Sequence, residues 1–311
     1  MIENVTVSGR YVFSKKWGTF GQDDGQFQHP KGVAVDSSNN VYVADTYNYR
    51  IQKFRKDGSF IRAWGEQGSG DGQFVGPTGI AMDSSDNVYV SDNYRIQKFR
   101  SDGTFITQWG SAGSGDGQFS ILGGISVDSS GNVYVADSQN HRIQKFRSDT
   151  SFIRTWGEQG SGDTQFKWPD DLALDSSDNV YVTDTDNHRI QKFRSDGSFI
   201  REWGTYGVGD GHLQSPRGIA VDSFGYVYVT DHGNNYKIQK FTNNGTFITK
   251  WGPSGSGNGQ FHQASGIAIA PSRRVYISDM HTLNCCIQSF FWVNLGGTGG
   301  TGTGGDLDPN P

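Results

Sequence analysis

Seven histidines, His29, His141, His188, His212, His232, His262 and His281, are the residues of this chain with the widest chemical range. Three or four imidazoles meeting at one point would hold zinc and open metal-assisted catalysis. A second constellation is Trp168-Pro169-Asp170-Asp171, which with Lys31 and Arg217 offers the convergent polar groups that a ligand or metal needs. Tyr47, Tyr49, Tyr94 and Tyr236 add side chains typical of recognition surfaces. Other chemistries lack their residues. There is no Ser-His-Asp order or GxSxG turn, no Dx[DN]x[DN]G calcium loop and no CxxC pattern. The only cysteines, Cys285 and Cys286, are adjacent, a spacing that strains a disulfide and predicts two half-buried thiols.

What positions these side chains is a repeat. Trp-Gly recurs at Trp17, Trp64, Trp109, Trp156, Trp203 and Trp251, at intervals of 45 to 48 residues, a period that marks propellers and solenoids. The order of parts between tryptophans never changes. In the first unit GQF and Pro30 precede GVAVD at 32–36, VYVAD at 41–45, RIQKFR at 50–55 and SFIRAWG at 59–65. Each run is short, rich in Val, Ile, Phe, Tyr and Trp, and bounded by Asp-Ser-Ser-x-Asn or Ser-Asp-Gly turns. No stretch carries helical periodicity. Four antiparallel strands in each of six units predict an all-β fold, a six-bladed β-propeller.

The ends of the chain predict how it closes. The sixth unit supplies three strands, GIAIA at 266–270, VYISD at 275–279 and CIQSFF at 286–291, while RYVFSKKWG at 10–18 matches only a fourth. The N-terminal strand is therefore expected to complete the last blade and remove the exposed edges of an open array. Residues 1–294 form the propeller in this reading, and 295–311 a Gly/Thr-rich flexible tail.

The repeat separates scaffold from candidate site. Arg50, Arg95, Arg142, Arg189 and Lys237 follow an Asp in five units and read as hairpin ties. Lys53, Lys98, Lys145, Lys192 and Lys240 read as stems laid over apolar neighbours. GDGQF reads as turn chemistry, and the tryptophans as blade packing. Residues that break the pattern are not explained by the fold. All seven histidines fall in the loops joining blades and those joining second to third strands, which open on one face. Around the channel mouth stand Lys31, Thr78, Gly123, Asp170, Arg217 and Ser265, each followed by glycine except in blade four, where Asp171 follows.

At DTYNYRIQKF (45–54), DSQNHRIQKF (137–146) and DTDNHRIQKF (184–193) the motif resembles the NHL repeat, and PKGVAVD (30–36), PTGIAMD (77–83) and PRGIAVD (216–222) resemble that family's first strand. The resemblance covers about residues 10–291. It implies the propeller fold and a binding role, since such propellers serve as recognition modules in TRIM-type ubiquitin ligases, bacterial sensor kinases and surface proteins, and a few bind RNA. Related peptidyl-hydroxyglycine lyases carry zinc and calcium, with histidine at channel-mouth positions where this chain has none. The near-identical units, with GSGDGQF in their loops, resemble archaeal and bacterial surface NHL proteins. An extracellular or cell-surface location follows from that likeness, although the chain's first residues show no signal peptide.

Charge narrows the partners. Across 311 residues, 27 Lys and Arg stand against 32 Asp and Glu, a net of −5, which argues against a nucleic-acid footprint. No apolar run approaches the roughly 18 residues of a membrane span. The sequence thus predicts a monomeric, non-catalytic binding module without cofactor or metal, taking a protein, peptide or surface glycan on the loop face. Its expected binding residues are Lys31, Tyr47, Tyr49, Tyr94, His141, Trp168, Asp170, Asp171, His188, Arg217, His232, Tyr236 and His281. The alternative is a metal-dependent lyase at the channel mouth, with His232 and His281 on adjacent blades as its best pair; RNA binding ranks third.

Overall fold

The VYVxD runs are buried at all five positions in every unit. A strand hidden on both faces needs sheet on both sides, which a ring of stacked blades supplies. A computed structural model describes residues 9–233 and 237–294; the expected 295–311 tail and Tyr236 lie outside the described residues. Six four-stranded antiparallel sheets result. The first blade runs outward from the channel as Pro30–Val35, Val41–Asp45, Arg50–Phe54 and Phe60–Trp64. Blades two to five repeat this order from first strands at Pro77–Met82, Leu122–Val127, Pro169–Leu174 and Pro216–Val221. In every blade a register shift follows the first strand's opening residue, as between Pro30 and Val33. The channel-mouth residues Lys31, Asp170 and Arg217 sit inside that shift.

The core lies between blades. One cluster joins Tyr42, Ile51 and Ala44 of the first blade to Phe74, Ile80, Val88 and Phe99 of the second, and five similar clusters complete the circle. Each Trp-Gly tryptophan wedges into such a seam: Trp64 meets Tyr42 of its own blade edge-on (6.2 Å) and Phe99 of the next (6.1 Å). The following blade's Ser-Asp-Gly turn lies flat on the ring. A Cβ on Gly103, at φ +85°, would stand 2.8 Å from the Trp64 indole, so both the turn and the contact require glycine there.

Closure occurs as the sequence predicts, with Gly9–Trp17 pairing antiparallel to Cys286–Asn294 outside Val275–Asp279 and Ala264–Ile269. The borrowed strand also repairs what the sixth blade lacks. That blade has no Ser-Asp-Gly turn to cover Trp251, and Tyr11 stacks there instead, 4.1 Å away and 20° from parallel. It has Cys286 where other blades place arginine, and Lys16 donates to the Ser256 carbonyl (3.0 Å) as Arg189 does to Ser161 (2.9 Å). Cys286 therefore faces the interior, and both thiols are fully buried and unbridged rather than half-buried.

The repeated lysines also depart from expectation. Their amines, not only their stems, are engaged: Lys53 lies over the Tyr42 ring (4.8 Å) and 3.4 Å from Asp36, with equivalents at Lys98, Lys145 and Lys192. Lys240 at the closure seam differs. It donates to the Tyr11 hydroxyl (3.3 Å) among the rings of Tyr226, Tyr228 and Trp292. Burial, with Arg273 adding to it and Asp222 opposing, brings its amine down to about 8. Two outcomes follow. Tyr11→Ala is expected to cost about 2–4 kcal/mol and lower the melting temperature by roughly 5–10 °C, and deleting residues 1–17 to cost more; an unchanged melt would show that the strand does not hold the ring. Between pH 8 and 10.5 the unfolded chain keeps the Lys240 proton while the folded chain has released it, so stability gains with rising pH in that window. Melting curves of wild type and Lys240→Met should converge as pH rises from 8 to 10; parallel curves would refute this origin.

Candidate functional site

The loop face is built on one buried carboxylate per blade. Asp45 ends the second strand and accepts hydrogen bonds from the Gln28 amide (2.7 Å), Asn48 (2.8 Å), Arg50 Nε (2.8 Å) and Gln52 (3.0 Å). Arg50 and Gln52 then donate to the Gln26 carbonyl, and Gln52 accepts from Gly25, which clamps the GDGQF-type loop over the hairpin. Arg95, Arg142 and Arg189 pair with Asp92, Asp137 and Asp184 at 2.7–3.0 Å in the same way. The arginines are hairpin ties, not a basic ring open to ligand. The third-strand glutamine is as central, and the sequence reading passed it over; its recurrence as Gln52, Gln97, Gln144, Gln191, Gln239 and Gln288, one in each unit, was the available clue, and all six are buried.

Several predicted binding residues serve as struts between blades. Tyr49, His141 and His188 occupy left-handed conformations (φ 54–59°) after the short 3₁₀ turns. The His141 ring accepts from the Trp168 amide (3.2 Å), and the His188 ring meets the Gln214 carbonyl. Tyr49 packs on the core between blades one and two. His281 packs at a tilt on His262 (4.8 Å between centroids), and burial, then the nearby Arg217 charge, push the His232 imidazole down to about 4. Tyr47 and Tyr94 are exposed, Tyr47 resting on His29 (4.4 Å). Among the described residues no three His, Cys, Asp or Glu side chains are arranged to hold a metal ion.

The channel mouth does gather Lys31, Trp168, Asp170, Asp171 and Arg217 around one cavity of about 650 Å³. Small polar side chains that the sequence reading missed shape its wall. In blades two, four, five and six the second-strand hydroxyls of Ser91, Thr183, Thr230 and Ser278 donate to the mouth carbonyl of the next blade, at Gly123, Arg217, Ser265 and Lys31 (2.6–2.8 Å). Blades one and three carry Ala44 and Ala136 at that position. At those two seams the stitch comes from two residues further on, where the Thr46 and Ser138 hydroxyls donate to the Pro77 and Pro169 carbonyls (2.8 and 2.7 Å).

Comparison with known proteins bears on the fold. The model of the NHL repeat matches residues 27–54, 119–146 and 166–193. Protein brain tumor of Drosophila melanogaster is 49% identical over 51 residues, 16% of this chain and 5% of that protein. B-box type zinc finger protein ncl-1 of Caenorhabditis elegans is 47% identical over 51 residues, 16% of this chain and 6% of that protein. The matched stretch is a small part of both relatives. Among solved structures, a Bacteroides thetaiotaomicron protein of unknown function superposes with TM-score 0.71 at 18% identity, covering 92% of this chain and 77% of its own. A streptogramin B lyase gives 0.61 at 16%, covering 91% and 98%, and a Xanthomonas campestris gluconolactonase gives 0.63 at 15%, covering 86% and 87%. At these identities the structural likeness concerns the fold alone.

Asp171 is the clearest departure from the repeat. Where other blades have glycine, its carboxylate accepts from Leu172 (2.8 Å) and from Ile219 of the next blade (3.1 Å). Burial and then the Asp170 charge raise it, against those two amides, to about 7. A carboxyl raised on folding stabilises fully below its unfolded value and loses that contribution as pH climbs through the folded one. The melting temperature of Asp171→Asn relative to wild type should therefore rise between pH 4 and pH 8. A constant difference across that range would show that Asp171 ionises normally.

Proposed function

Since this chain belongs to the NHL-repeat family, we propose that it is a non-catalytic recognition module that takes a protein, peptide or glycan partner on its loop face. The carrying observation is where exposed apolar side chains stand. Of the thirteen large ones among the described residues, Phe20, Tyr47, Val75, Tyr94, Ile121, Tyr206, Val208 and Leu283 lie in loops of that face, and only Phe224 and Tyr226 in those of the opposite one. None of these ten loop residues belongs to the repeated scaffold, and exposed apolar groups clustered on one side of a protein surface mark interaction sites. The commitment of His141, His188, His262 and His281 to contacts within the fold supports a binding role over a lyase.

The test is a triple variant, Tyr47→Ser, Tyr206→Ser and Leu283→Ser, compared with Phe224→Ser on peptide and glycan arrays. The loop-face variant is expected to lose about tenfold or more in affinity at unchanged melting temperature, and Phe224→Ser to lose none. Equal binding by both would move recognition off this face. Stoichiometric zinc or calcium in the purified protein, together with lyase activity, would overturn the non-catalytic reading.

A further inference from the structure

The arginines that open the third strands are paired, and three charged side chains at the channel mouth are not. Arg50, Arg95, Arg142 and Arg189 each hold a carboxylate within 3.0 Å. Arg217 stands one blade from Asp170, yet among the described residues no ion pair within 4 Å includes Lys31, Asp170 or Arg217. The Arg217 guanidinium leans the other way, toward the Met280 sulfur (3.9 Å) of blade six. Lys31 comes from the blade opposite Asp170, and all three line the same cavity of about 650 Å³, within the roughly 300–1,000 Å³ of small-molecule sites. Lys31 is partly desolvated, which depresses its amine; Asp170 favours its charge and Arg217 opposes it. Two cations and one carboxylate thus line the same space, an arrangement complementary to a ligand that carries both an anionic and a cationic group.

The lip of the cavity is apolar and strained. Ile121, 41% exposed, and Trp168 both line it, and both have φ of +55°. A β-branched residue in the left-handed region is a true outlier, and such strain concentrates at ligand sites. The rest of the fold enforces it: the Leu122 and Ser138 amides donate to the Asn93 and Ile121 carbonyls, and His141 holds the Trp168 amide. The two apolar side chains are thereby fixed beside the charged frame.

We infer that the channel mouth binds a small zwitterion with an apolar side chain, of the amino-acid class. Lys31 and Arg217 receive the carboxylate, Asp170 the ammonium group, and Ile121 with Trp168 the apolar portion. This site shares Ile121 with the exposed loop face but none of the residues Tyr47, Tyr206 and Leu283.

Calorimetric titration with L-phenylalanine, N-acetyl-L-phenylalanine and L-phenylalaninamide, each up to about 10 mM, tests the assignment. Phenylalanine should bind about tenfold or more tighter than either blocked form, since each blocked form leaves a desolvated charge unmatched. Asp170→Asn should abolish the preference over the N-acetyl form, and Arg217→Gln the preference over the amide, with both variants keeping the wild-type melting temperature. Absence of binding by all three probes, equal binding by all three, or discrimination that survives both substitutions would overturn the proposal. The Tyr47, Tyr206 and Leu283 serine variant should titrate as wild type, so failure of this site and failure of the rim reading are distinct results.

Discussion

One buried carboxylate in each blade organises almost everything else. Asp45, Asp92, Asp137, Asp184, Asp231 and Asp279 sit at 0–1% exposure at the end of the second strand. A carboxylate so placed is costly unless its lone pairs are all used. In blades one, three and four its partners are drawn from three directions: the hairpin's own arginine and glutamine, the asparagine of the turn, and a backbone amide of the loop arriving from the previous blade; the loop amide recurs in the other three blades. Satisfying one charge thereby fixes a hairpin, a turn and an inter-blade loop together. Removing any partner leaves the charge underbonded, which explains why the same residue types recur with so little variation.

That economy also explains how much of the molecule was legible beforehand. Strand number, blade number and closure follow from the spacing of Trp-Gly and from the lone fourth strand at 10–18, because period and pattern are properties of the chain itself. The assignment of the arginines as ties succeeded for a similar reason: a residue needed in every blade answers a need of the blade.

The site was read less well, since its geometry depends on contacts across seams. Tyr49, His141 and His188 break the repeat in type, yet all occupy one left-handed cap position and reach into the next blade. Variation in residue type there concealed constancy of conformation. The alternation of Ala44 and Ala136 with Ser91, Thr183, Thr230 and Ser278 was visible in the sequence, but its meaning required knowing that the second strand faces the neighbouring blade's mouth carbonyl. Asp171 was singled out correctly as an exception, and its bond to Ile219 across the seam shows why glycine is otherwise the rule: the backbones nearly touch there.

The borrowed strand has a consequence in time. Gly9–Trp17 is synthesised before its partner Cys286–Asn294, which emerges only after every blade between them. At the usual 5–20 residues per second of synthesis, the strand waits many seconds with its ladder groups open, while adjacent blades can already bury their shared seams. During synthesis the ring can therefore close only once residue 294 has emerged. Until then Trp251 has no Tyr11 to cover it, and the unfinished arc presents one strand-hungry edge, the state in which a nascent chain of near-identical blades is most open to pairing with another copy of itself.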